Sequence, residues 1–537
     1  MPNPTMRAEN EAVSKSDDFD VIIVGGAFSG ASAGLLLKRE LPDLRVLIIE
    51  RREAFDKKVG ESTSEVAGCF MTRVLRQSAY LAANHINKHG LRLWFCHTPE
   101  DDPFTCTEIG PRFQSRLPTY QLDRSKLDEH LLAEAVAAGC ELVRPAVVKE
   151  ISLTEEGEAP QSVEFKSGDG PLRRCSAKWV LDASGKAAVI SRKRGLYRQL
   201  GAEHPTAALW TRYRNVNDVD SATTGHRATP EFHDSVWAAR SIATNHLMGD
   251  GWWCWLIPLS DGTLSVGIVW DYTLFDLPAG PSLGERLHAH LLSHPVGRLM
   301  FEKAQQEAGD VHYFKDLSYY SAQMCGHRWA LLGDAAGFID PLYSQGLDYC
   351  GHTVSAVVDL LVKDFRGQDF AQAHASLCGD AYGRSYRHWF EALYKGKYHY
   401  MGDAELMWAA FLLDLSCYFV GPVRLVYMSP QTEWTRLPYD GAIGTFVARF
   451  MAFYNRRLRR VAAKRREKGI FGLSNLNQRH LLAENFSPNT RVLRLLLKGV
   501  LVWIKAEITT ALATSRSPMP AARKSDQVTA TELARSS

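Results

Sequence analysis

No C-x-x-C pair occurs among the ten cysteines. This excludes a cysteine zinc ribbon and a disulfide scaffold, and suits a reducing, cytoplasmic setting. No uncharged apolar run reaches about 18 residues, so no membrane-spanning helix is expected. The first seventeen residues are polar and hold no apolar core, so no secretory signal is expected. The net charge is only +3, which points away from a polyanion or nucleic-acid partner. No internal repeat is visible, which removes solenoids. His85 and His89 have i, i+4 spacing and could meet on one helix face, but no further ligand stands nearby and no metal site is expected.

What is present is ordinary globular composition, 45% apolar and 23% charged over 537 residues, enough for two or three domains. From Phe19 the pattern runs strand, turn, helix, strand. Asp20–Val24 is an apolar run, Gly25–Gly30 a turn, Ala31–Arg39 a helix and Arg45–Glu50 a second strand. This is a βαβ unit opening a parallel sheet. Residues 92–118 read as β, and Tyr120–Ala138 as helix with Asp123 as N-cap. Residues 140–181 read as strands with turns at Glu156-Gly157 and Gly168–Gly170, and 205–320 as mostly β with an aromatic strand at Gly251–Pro258. Trp329–Asp334 is a buried strand, Leu347–Phe365 a helix, and the rest is helical to about Ala513.

The expected fold class is α/β: a Rossmann-like nucleotide-binding domain, a β-sheet substrate domain and a C-terminal helical region. The expected division is a flexible leader at 1–17, a core at 18–365, the helical region at 366–513 and a disordered tail at 514–537. Within the core, nucleotide-binding segments fall at about 18–90, 120–190 and 320–365. The substrate sheet falls at about 92–118 and 191–319.

Gly25-Gly26-Ala27-Phe28-Ser29-Gly30 is close to G-x-G-x-x-G. Gly25 permits the tight turn, Ala27 must let a pyrophosphate approach the backbone, and Gly30 lets helix and sheet pack closely. Glu50 ends the second strand, where an acid can bind a ribose hydroxyl. Alone, such a loop is also an ordinary strand-to-helix turn. Three later segments accompany it: Arg124 and Asp128 after Tyr120, Asp182-Ala183-Ser184-Gly185, and Gly333-Asp334. Downstream, Phe338 to Gly346 leads into a helix. Its turn offers free N–H groups and the positive end of a helix dipole, a ready anion site.

Taken in this order, the segments resemble the flavoprotein monooxygenase superfamily, which implies FAD. Three more segments narrow the likeness. Trp253-Cys254-Trp255-Leu256-Ile257-Pro258 matches W-x-W-x-I-P, and Phe338, Pro341, Ser344 and Gly346 match F-x-x-P-x-x-S-x-G. Val59-Gly60-Glu61-Ser62 with Asn87-Lys88-His89-Gly90 resembles a segment that carries an essential lysine. Over residues 18–365 the chain resembles the flavin-dependent halogenases.

The resemblance implies FAD contacts at Gly25, Ala27, Ser29, Gly30, Glu50, Glu61, Ser62, Arg124, Asp182, Gly333 and Asp334. It implies a halide at Ser344, Gln345 and Gly346, and Trp253 and Trp255 as a screen between flavin and organic substrate. Lys88 becomes the catalytic residue, holding hypohalous acid by a hydrogen bond or carrying halogen as a haloamine. Lys57 and Lys58 read as an exposed loop. Reduced flavin would come from a separate reductase, and chloride or bromide would be consumed. Tyr343 stands where members acting on tryptophan carry an acid, so the chain looks more like members acting on phenols and pyrroles. An acyl or peptidyl carrier protein bearing the substrate is a candidate partner. The implied role is aromatic halogenation in secondary-metabolite or antibiotic biosynthesis. A halogenase-like hydroxylase, dehydrogenase or reductase is the alternative, and a non-catalytic flavin-bearing interaction protein the third reading.

Between Arg456 and Lys468 stand eight basic residues and one acid. This is a solvated helix face, or a docking surface for an acidic partner or an anionic membrane. The aromatic run Trp408–Tyr427 reads as helices covering an apolar pocket.

Overall fold

The computed structural model describes residues 17–220, 232, 235–379, 381–428, 433–483 and 491–514. The expected leader and tail lie outside the described residues, apart from Asp17 and Thr514.

Strand Asp18–Val24 lies between Val46–Ile49 and Leu172–Asp182, parallel to both. Glu141–Val143 and Trp329–Leu331 extend the parallel array on either side. Val21 to Val24 and Val46 to Ile49 are all buried, because helices cover the sheet and leave no solvated face to alternate toward. The βαβ unit therefore forms as its apolar runs require. Helix Arg124–Ala137 begins where Asp123 accepts a hydrogen bond from the Ser125 backbone N–H at 3.1 Å.

The second sheet has nine strands. Thr206–Arg214, Leu264–Asp271, Trp252–Pro258, Thr244–Gly249, Leu91–Phe95 and Thr107–Pro111 run side by side in that order. Two departures from the sequence reading occur here. Among the described residues, 205–320 also hold the helices Leu283–Ser293 and Pro295–Phe301. The first starts at a legible Ser-x-x-Glu box, in which Ser282 Oγ accepts from the Glu285 N–H at 3.3 Å. The region after 366 is not helical throughout, since Arg479–Leu482 returns to the sheet and pairs in parallel with Thr107–Pro111. This edge pairing links residues 371 positions apart (Arg479 and Glu108) and has no local signal.

Glu108, on that edge, is fully buried and bonds both Arg92 (2.5 Å) and Arg240 (2.9 Å), themselves buried. The helices Gly346–Phe365, Ala381–Leu393, Ala404–Tyr418, Gly441–Glu467 and Arg491–Leu512 pack beside the two sheets. Ala404–Tyr427 is the one stretch among the described residues long and apolar enough to cross a membrane, with mean hydropathy 1.6. It is instead 83% buried within the protein. Cys325 and Cys378 form a disulfide, with His374 beside Cys378 at 3.2 Å. The strand Cys325–Gly326 and the helix Ala371–Cys378 bring them together, which their spacing of 53 residues hides.

Candidate active site

The glycine turn is built as a phosphate cradle. Gly25 has φ +104°, and a Cβ on Gly30 would lie 1.9 Å from the Gly25 carbonyl oxygen, so neither position accepts a side chain. Helix Phe28–Glu40 starts after extended Ala27 with no side-chain cap and no acid in its first turn, which includes Ser29. Its first N–H groups suit an anion. Glu50 accepts the Gly26 N–H at 2.7 Å and the Arg52 N–H at 2.9 Å, so it braces the turn. Gly333 has φ +55°, and a Cβ there would strike Ser29 Oγ at 2.3 Å. Asp182 supports the loop beside the turn. Its two oxygens accept from the Ser184 and Ile190 N–H groups at 2.9 and 2.8 Å, so it fixes the adjoining loop.

Beyond the turn lies a cavity of about 250 Å³ lined by Arg124, Asp334, Glu61, Ser62, Trp253 and Trp255, among others. Arg124 is held by Asp128 at 3.1 Å and donates to the Gly60 carbonyl at 3.3 Å. Glu61 accepts from Arg212 at 2.7 Å, a buried ion pair that anchors the 59–62 segment. A nucleotide pyrophosphate at the glycine turn and a flavin in this cavity fit these donors, the missing side chains and the apolar walls.

Trp253, Trp255 and Ile257 line this cavity, while Cys254 and Leu256 enter a separate core on the other face of the strand. Gly267 opposes Trp255 across the sheet, and a Cβ on it would meet that indole at 2.3 Å. Trp253 Nε1 donates to Tyr398 (2.9 Å), whose hydroxyl donates to Asp340 (2.8 Å), which also faces His204 (2.9 Å). The indole is thus held from behind.

Lys88 lines a second, smaller cavity of about 100 Å³ with Glu65, Tyr343, Gln345, Phe411, Asp414 and Tyr418. It does not lie on a helix. Helix Ser78–Asn84 ends before His85, and Ile86–Asn87 pairs with Tyr120–Gln121. His85 therefore accepts from the Asp123 N–H and His89 from the Ala239 N–H, in separate places. The Lys88 N–H donates to the Thr119 carbonyl at 2.9 Å, and Thr119 Oγ1 to the Lys88 carbonyl at 3.0 Å. Its Nζ donates to Ser62 Oγ and to the Thr63 carbonyl, both at 2.8 Å. Burial lowers its pKa to about 8, against the raising influence of Glu65 and Asp348.

Ser62 Oγ also meets Ser344 Oγ at 3.1 Å. Ser344 has φ +59°, and this turn sends Tyr343 into the small cavity and Ser344 into the large one. The Gln345 side-chain oxygen accepts from Trp389 and Tyr394 at 2.9 and 3.2 Å, which fixes the side chain beside the turn. Helix Gly346–Phe365 starts there without a side-chain cap.

Two acids of the small cavity escaped the sequence reading. Asp414 accepts from Tyr343 at 2.7 Å and Tyr454 at 2.5 Å, and pairs with buried Lys397. As the one acid in the apolar run 406–418, it was a visible signal. Glu65 follows the 59–62 motif directly, and burial raises its pKa. Asp348, raised by burial to about 7, holds the Glu65 segment through Ser64 and the Ala67 N–H. Lys57 and Lys58 are not an open loop: Lys57 pairs with Asp261, and Lys58 with buried Asp128 at 2.5 Å.

The two sheets, glycine turn and paired cavities define an α/β fold of the FAD-dependent monooxygenase type. The family profile described as tryptophan halogenase matches residues 111–399, and the chain belongs to this family of flavin-dependent halogenases. The flavin-dependent halogenase armH5 of Armillaria mellea is 25% identical over 362 residues, covering 65% of this chain and 65% of that protein. A 1H-pyrrole-2-carbonyl-[peptidyl-carrier protein] chlorinase of Pseudomonas fluorescens is 24% identical over 392 residues, covering 70% of this chain and 82% of that protein. The tetracycline 7-halogenase of Kitasatospora aureofaciens is 26% identical over 383 residues. The chain spans 65% of the length of armH5 and of the tetracycline enzyme. In fold, it matches the solved halogenase PltM with a TM-score of 0.69 at 18% identity, over 91% of this chain and 98% of that one.

Proposed function

We propose that the chain halogenates an electron-rich aromatic of the phenol or pyrrole type, free or carrier-bound. The observation that supports this most directly is the Ser62 hydroxyl, in contact with both Lys88 Nζ and Ser344 Oγ across the wall between the two cavities. Bound FAD, reduced by a separate reductase, would supply the electrons with which dioxygen oxidises chloride or bromide to hypohalous acid. The Gln345 and Gly346 amides and the Ser344 hydroxyl hold the halide at the positive end of the helix. Trp253 and Trp255 wall the larger cavity only, which keeps organic substrate in the smaller one.

An ammonium has three donors, and Lys88 spends two on Ser62 and the Thr63 carbonyl. The third holds the oxygen of hypohalous acid, and donation to that oxygen makes its halogen more electrophilic. The exchange is ArH + HOX → ArX + H₂O. As the oxygen leaves it takes a proton from the Lys88 ammonium, and the ring proton passes to Glu65, a carboxylate of the same cavity whose pKa burial raises, and from there back to the Lys88 amine. A phenol or pyrrole is electron-rich enough to react where Tyr343 replaces an acid and is itself tied to Asp414.

The test supplies protein, a flavin reductase, NADH, halide and a panel of phenols and pyrroles, and reads products by mass spectrometry. Halogenated product with the isotope pattern of the added halide supports the proposal. Direct NAD(P)H oxidation with halide-independent oxygenated product selects a hydroxylase or related oxidoreductase instead.

A further inference from the structure

Helix Arg491–Leu512 is unusual in its outward face. Leu493, Leu497, Leu501, Ile504, Ile508 and Leu512 are 46–78% exposed. At about 100° per residue they form one aliphatic stripe roughly 100° wide. The inward face is satisfied separately, by buried Val492, Leu495, Gly499 and Ala506. Arg494, Lys498 and Lys505 run along one edge of the stripe. Arg494 and Lys505 have no carboxylate partner among the described residues, and Lys498 rests over the Trp408 ring at 5.2 Å.

The neighbouring helix Gly441–Glu467 continues the patch. Its Ile443 and Phe446 are 82% and 72% exposed, and with Leu493 they line an open depression of about 950 Å³. The basic run on this helix divides into two groups. Arg465 pairs with Asp403, Arg457 with Glu507 and Arg466 with Asp250, whereas Arg456, Arg459, Arg460 and Lys464 face solvent.

We propose that these two helices seat the protein on an anionic lipid surface. The stripe enters the acyl boundary while the basic edge meets the phosphate groups, the arrangement of an interfacial amphipathic helix. A second copy of the chain would set this basic edge against itself. A water-soluble acidic partner would answer the charge and leave the aliphatic stripe unanswered. The inference is independent of the proposed reaction.

Sedimentation of the full chain with phosphatidylcholine vesicles, with and without phosphatidylglycerol, tests it. Binding is expected only with the anionic lipid, weakening as salt rises. The double variant L497E/L501E should abolish binding while keeping the melting temperature and bound flavin. Each of R494Q, K498Q and K505Q should weaken binding about fivefold. Three results would overturn the proposal. One is no binding to anionic vesicles. Another is a dimer in solution, dissociated by L497E/L501E, that does not bind vesicles. The third is binding that appears only after residues 515–537 are removed, which would assign the stripe to the C-terminal segment.

Discussion

Ser62 Oγ lies 2.8 Å from Lys88 Nζ, although the two residues are 26 positions apart in the chain. The same hydroxyl reaches Ser344, so one side chain joins the motif at 59–62, the lysine and the glycine turn at 344–346. Ser62 and Ser344 line the larger cavity and Lys88 the smaller, so the contact links the two.

Ser62→Ala removes the junction and leaves Lys88 with one hydrogen bond fewer. A hydrogen bond to a charged group contributes about 1.5–3 kcal/mol, so product formation should fall about 10–100-fold. Because Ser62 also lines the larger cavity, titration with FAD sets the basis, and product formed per bound flavin is the quantity expected to fall.

Burial lowers Lys88 to about 8, and its ammonium is the form that donates to hypohalous acid. The ammonium predominates below that value and is lost as pH rises through it. Halogenation measured at saturating reduced flavin should therefore be flat to about pH 7, half-maximal near 8 and fall about tenfold per unit beyond. A rate that instead rises through pH 8 would assign the step to the neutral amine.

Gly30→Ala should abolish FAD binding. The added methyl meets backbone, the Gly25 carbonyl, and cannot be relieved by a rotamer change. The purified variant should be colourless and still fold, as far-ultraviolet circular dichroism would report.

Glu108→Ala leaves Arg92 buried without a carboxylate and Arg240 with Asp220 alone. Loss of one partner from a buried pair costs about 3–5 kcal/mol. Urea unfolding should show a lower midpoint with little change in slope.

Much of this was legible in the sequence. The apolar runs at 21–24 and 46–49, the glycine turn and the alternation of Trp253, Trp255 and Ile257 specify local geometry, and local geometry follows from short-range patterns. The misses share a cause. Arg479–Leu482, the Cys325–Cys378 bond and the Tyr343–Asp414 contact each join distant segments whose encounter no period or cap encodes. A carboxylate after a strand can serve a ligand or its own loop, and the Ser184 and Ile190 amides, which bond both Asp182 oxygens, are visible only in the structure.

The most direct measurement compares wild type with Lys88→Met, both loaded with FAD and supplied with reductase, NADH and bromide or chloride, by mass spectrometry of a phenol substrate. The wild type is predicted to give product with the bromine or chlorine isotope pattern. The variant should consume reduced flavin equally and give none. Halogenated product from Lys88→Met at the wild-type rate, or no halogenated product from the wild type on any substrate of the panel, would contradict the account.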